Sequence, residues 1–117
     1  MMDAAALIAR MDEQRSFWVD LGGGKRVKVR RPLEADFHRL RAGITIEHVG
    51  ESACDWDGLT EADLLGAAVG ASDAVPFDGA LWARVARDNV AYAAAVSAAI
   101  VEAVTAHLAA QEALAKN

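Results

Sequence analysis

A single cysteine, Cys54, is all the thiol this 117-residue chain carries, so no intrachain disulfide and no cysteine-based zinc cluster can form, and a reducing compartment is favoured. Prolines number two and glycines nine, against 54% hydrophobic and 25% charged residues. That balance excludes a collagen, a disulfide-framed toxin and a disordered tail. Basic residues fall short of acidic ones, 12 to 17, and the net charge of -5 excludes a surface that wraps nucleic acid on every side. Long apolar runs are missing too: the longest uncharged stretch, Val90 to Val101, stops at Glu102, short of the roughly 18 residues that span a bilayer. Met1 to Arg10 has neither the basic leader nor the cleavage site of a secretory signal. The expectation is a soluble, cytoplasmic protein with no membrane partner, folded as one domain over 1–117, since domains commonly hold about 100 to 150 residues.

What the chain does have is punctuation. Ala4, Leu7, Ile8 and Met11 recur at helical spacing behind Asp3, a side chain suited to an N-cap, and predict a short amphipathic helix over about 4–14. Phe17 to Leu21 and Lys25 to Arg31 flank three consecutive glycines and predict a β-hairpin, with Val27 and Val29 on one face of the second strand and Arg26, Lys28 and Arg30 on the other. Pro32 suits a first helical position, which predicts a helix over about 32–42 with Leu33, Phe37 and Leu40 inward. Weak alternation over Ile44 to Val49 predicts a third strand beside the hairpin. Thr60-Glu61-Ala62-Asp63 reads as a capping box opening a short helix, and Asp78 as the cap of a helix carrying Leu81, Trp82 and Val85. From about Asn89 to Ala115 neither glycine nor proline interrupts, and 12 of the 25 residues from Ala91 onward are alanine.

The expected fold is therefore α+β: a small antiparallel hairpin or three-stranded sheet in a region of about 1–50, several helices over about 60–117, and a long alanine-rich helix at the end. That helix, of about 27 residues, measures about 40 Å. Unless it breaks near Thr105 or frays, part of it must project or meet another chain. Tyr92, Val96, Ile100, Val104 and Leu108 step by four along it and form a candidate partner face or self-association face, with Trp82 and Tyr92 as aromatic anchors at its base.

Charge is unevenly placed, with seven Lys and Arg against two acids over residues 25–41, then eight acids and no base from Ala42 to Asp78. Arg26, Lys28, Arg30 and Arg31 form a candidate basic patch. No stacking aromatic interleaves it in sequence and no recognition helix follows, so protection of a strand edge and pairing with the acidic stretch suit it better than nucleic acid. The glycine triplet leads into a strand rather than a helix, which argues for a turn over a phosphate cradle. If Gly58 held the sixth place of a calcium loop, Ala53 and Leu64 would fill the first and twelfth, and neither has a carboxylate. Glu51, Asp55, Asp57, Glu61 and Asp63 read as a solvated cluster, and no metal or other cofactor is assigned. His48 and Cys54 have no third residue in the sequence to complete a catalytic set, and His38 and His107 show no ligand spacing. No catalytic residue is assigned.

Three segments carry a family likeness. Val27-Lys28-Val29-Arg30-Arg31-Pro32, Trp56-Asp57-Gly58-Leu59-Thr60-Glu61-Ala62-Asp63-Leu64-Leu65, and Ser72-Asp73-Ala74-Val75-Pro76-Phe77-Asp78 with Leu81-Trp82 resemble the tail assembly chaperones and small tail proteins of tailed phages and prophages, from about Phe17 to the Lys116-Asn117 end. The resemblance implies a non-catalytic protein of the host-cell cytoplasm that binds the long tape-measure protein and helps tail-tube subunits gather around it. In some phages a ribosomal frameshift adds a second domain to such a chaperone. Competing readings are a structural tail component kept in the virion, and a small DNA-binding regulator using residues 25–41.

Overall fold

Asp3 accepts a hydrogen bond from the Ala6 N–H at 2.8 Å and so opens α1, Ala4–Gln14, at the start of the described residues, 3–116, of this computed structural model. β1, Ser16–Gly22, and β2, Lys25–Arg30, pair antiparallel, with Val19 opposite Val27 and Trp18 opposite Lys28. Gly22, Gly23 and Gly24 all take positive φ, which is the backbone the hairpin turn demands. Expectation and structure agree on these elements, and on α3, Glu61–Leu65, opened by the Thr60–Asp63 capping box. They agree again on α4, Gly79–Arg87, capped by Asp78, and on α5, Val90–Ala115, capped by Asn89.

Two expectations are corrected. Ile44 to Val49 is no strand: α2 runs Ile46–Ser52, because the Thr45 hydroxyl accepts the His48 N–H at 3.1 Å and starts a helix. Ile46 and Val49 then share a face at three-residue spacing, and Gly50 lets α2 sit so close to α4 that a side chain there would come within 3.2 Å of the Ala83 methyl. The third strand is β3, Ala53–Asp57, antiparallel to β2, and the sheet order is β1-β2-β3. The helix expected over 32–42 is a 3-10 segment, Glu34–Leu40, and Leu33 lies exposed before it rather than facing inward. Leu33 has no side-chain oxygen to cap an α-helix, and Gly43 at φ 118 turns the chain away soon after, so the segment closes the shorter bonds.

One face of the sheet builds the core. Val19, Val27, Val29 and Trp56 point the same way, and α2, α4 and α5 cover them with Val49, Trp82, Ala86, Val96 and Ile100, Leu59 completing the set. Both buried indoles are satisfied: Trp82 Nε1 donates to the Val49 carbonyl at 3.0 Å and Trp56 Nε1 to that of Val75 at 2.6 Å. Gly58, at φ 81, passes so close to the hairpin that an added Cβ would lie 2.6 Å from the Gly24 carbonyl oxygen. The Asp57-Gly58 pair thus serves close approach of backbone to backbone.

Candidate partner-binding surface

α5 spans about 39 Å at 1.5 Å per residue, in a molecule measuring 57 × 39 × 22 Å. Its most apolar row is spent on the core. Val96 and Ile100 are fully buried, Tyr92 stacks on Trp82 with centroids 6.5 Å apart, and Val104 is half-buried. The expectation that these residues, with Trp82, present a partner face is therefore corrected: Trp82 is fully buried, and of the row only Leu108 is exposed. The reason is packing demand, since the sheet needs the largest aliphatic groups the helix owns.

A second row was missed. Ala94, Ala98, Val101, Thr105, Leu108, Glu112 and Ala115 follow a 4-3 alternation, and every one is exposed, Val101 by 50% and Leu108 by 48%. That spacing repeats every 3.5 residues, as in a helix that pairs with another. The signal in the sequence is weak, because Thr105 and Glu112 interrupt this row and the step-of-four row carries the larger side chains. Past His107 every described residue of α5 is exposed, so the helix does project. By length and composition α5 could cross a membrane, at mean hydropathy 1.6 over an 18-residue window, since one charge such as Glu102 does not bar a span; only 11% of that window is buried here.

The basic patch is divided by the fold. β2 is the central strand, so Lys and Arg there protect no edge. Arg26 lies 3.4 Å from Asp57 and stacks 4.0 Å over the Trp18 ring, an aromatic within the stripe that sequence spacing did not reveal. Lys28 reaches Glu13 at 2.5 Å, a bond that raises its pKa, and Lys25 reaches Asp63 at 3.2 Å with the same effect. The expected pairing between the basic and acidic stretches thus holds at Arg26–Asp57 and Lys25–Asp63. Arg30 is exposed. Arg31 stands apart from the stripe, over the Phe37 ring at 6.0 Å, where it donates to the Pro32 carbonyl at 2.7 Å.

His48 lies on α2 and Cys54 on β3. The His48 Nε2 is buried without a hydrogen-bond partner among the described residues, and burial lowers its pKa, while the Cys54 thiol lies 3.6 Å from the Lys28 carbonyl. Among the described residues no His, Cys, Asp and Glu gather as a metal site.

Beside α5 lies a groove of about 620 Å³ between α1, the 3-10 segment and His107. α1 buries none of its residues, so Ile8 and Met11 stand 59% and 62% exposed along one wall. On the other, Glu34 accepts the Gln111 amide at 3.0 Å and has His107 Nε2 at 3.3 Å, and the two together lower its pKa. Comparison with family models, with characterised proteins and with solved structures finds no match for this chain.

Proposed function

We propose that this chain is a non-catalytic assembly protein that holds a helix of another polypeptide along α5, in the manner of a tail assembly chaperone on a tape-measure protein and its tail-tube subunits. The observation that carries the reading is the exposed 4-3 row from Ala94 to Ala115. Small residues at its proximal end let a second backbone approach closely, at an interaxial distance of about 8 Å, while Val101 and Leu108 supply the knobs. A helix apolar on two faces gains stability when both are covered. The sheet covers one, and a long helical partner of the tape-measure kind fits the other. The family likeness of Val27 to Pro32, Trp56 to Leu65 and Ser72 to Trp82 supports the same role.

The test is binding of a helical tape-measure fragment, from the same phage or prophage, to the intact chain and to Val101→Glu. Val101 has only half its surface left to bury, worth about 1 kcal/mol, and an unpaired carboxylate in the contact adds a desolvation cost of about 1 kcal/mol or more, so affinity falls about tenfold or more. Circular dichroism of the variant stays unchanged, because Val101 faces away from the core. Unchanged affinity would remove α5 from the binding surface.

A further inference from the structure

The groove beside α1 contains a cation, Arg31, that makes no direct ion pair among the described residues and feels Glu34 of the same groove only from beyond ion-pair distance. Arg15 is engaged locally: it pairs with Asp12 at 3.0 Å and donates to the Arg31 carbonyl. Arg31 has no carboxylate within ion-pair distance among the described residues, although it lines the groove and is half-buried. Its pKa is lowered by burial and then by Arg15, with Glu34 offsetting part of the effect, so the site holds positive charge at a cost. Around it Ile8, Met11 and Leu33 are apolar and open to solvent. Such a groove fits a short apolar helix that brings one carboxylate to a planar guanidinium.

The chain itself owns such a helix. Past His107, α5 projects with Leu108 and Leu114 exposed, Leu114 by 76%, and it carries Glu112 one turn after Leu108. Among the described residues Glu112 pairs with Lys116, at 3.3 Å between two largely exposed side chains, a pair of little worth. His107 lines the groove and Leu108 begins the projecting end, so groove and tip adjoin on one molecule. Two copies related by a twofold axis near that junction can each offer a tip and receive one.

We propose that the groove between α1 and the 3-10 segment receives the end of α5 from a second copy of this chain, with Glu112 of that copy set on the Arg31 guanidinium. The exchange is reciprocal, so every contact counts twice and the assembly closes at a dimer. It takes the last two turns of α5, Leu108 included, and leaves Ala94 to Thr105 open for a partner helix. The two readings share Leu108 and are told apart by their readouts, self-association of this chain against capture of a second protein.

Sedimentation of the full chain across the micromolar range tests this. The wild-type chain is expected to pass from monomer to dimer. Arg31→Glu and Glu112→Lys each weaken the dimer at least tenfold, because each homodimer then opposes like charges at both sites. An equimolar mixture of the two variants restores dimers: in the mixed pair the introduced carboxylate meets the introduced ammonium, and native Arg31 meets native Glu112. Glu112→Lys lies on an exposed tip and leaves folding untouched, and a restored mixed dimer itself certifies that both variants are folded. A wild-type chain that stays monomeric, a dimer indifferent to both substitutions, or a mixture that stays monomeric overturns the proposal.

Discussion

Trp82 and Trp18 carry the same side chain into opposite circumstances. Trp82 is fully buried, donates to the Val49 carbonyl and stacks on Tyr92, whereas Trp18 lies partly exposed under Arg26. Trp82→Ala is expected to cost about 3–5 kcal/mol in urea unfolding, because a cavity opens in the core. Trp18→Ala should cost far less, since it forfeits an exposed cation–π contact of about 0.5–1 kcal/mol and modest area. Sequence composition counts aromatics without saying which are inside; that depends on β2 being central, a long-range fact. His48 makes a pH prediction at the same scale. Burial lowers its pKa from 6.5, so the folded protein holds it neutral where the unfolded chain is protonated. Its contribution is thus complete above the unfolded value and is lost as pH falls from there through the lowered folded value. Glu51, Arg39 and Asp36 are the charged groups whose fields reach it, and they partly offset one another. The urea midpoint should drop as pH falls from about 7 to 5, and His48→Phe should flatten that slope. A slope unchanged in the variant would assign the acid sensitivity elsewhere.

At the scale of elements, local chemistry was legible wherever one side chain decides a boundary. Asp3, Thr60, Asp78 and Asn89 each accept the N–H that opens a helix, and the glycine triplet turns the hairpin. It failed at α2, where Thr45 caps a helix of seven residues, because Ile44, Ile46 and His48 also alternate as a strand would. It failed again at β3, whose Asp55 and Asp57 read as an acidic loop until Lys28 and Arg26 appear opposite them. In α5 the existence of the helix was plain and its orientation was not, since rotation about the axis is fixed by the sheet beneath. That division of the helix can be measured. Ile100→Ala, in the buried row, should cost about 2–5 kcal/mol. Truncation after Leu108 removes no buried residue among those described, takes the Gln111–Glu34 bond and the exposed Glu112–Lys116 pair with it, and should change unfolding free energy by less than about 1 kcal/mol. A large loss on truncation would mean that the distal turns are part of the core.

For the molecule as a whole, the charge arithmetic was visible in the sequence and its geometry was not. A basic stretch over 25–41 and an acidic one over 42–78 fold against each other, with Lys25 on Asp63, Arg26 on Asp57, and Asp55 across from Lys28. Cations so engaged offer phosphates little, because each contact must first give up a carboxylate, and the net charge of -5 repels the duplex at a distance. The intact chain should therefore leave the mobility of duplex DNA unchanged even at low salt. Neutralising the carboxylates that hold them, with Glu13→Gln and Asp57→Asn together, frees Lys28 and Arg26 beside the Trp18 ring and shifts the net charge by two towards positive. Weak DNA binding that disappears with added salt should then emerge in the double variant. A steep, salt-dependent shift already present in the unmodified chain would instead mean that the carboxylates yield readily to phosphate, and the regulator reading of residues 25–41 would displace the assembly reading of α5.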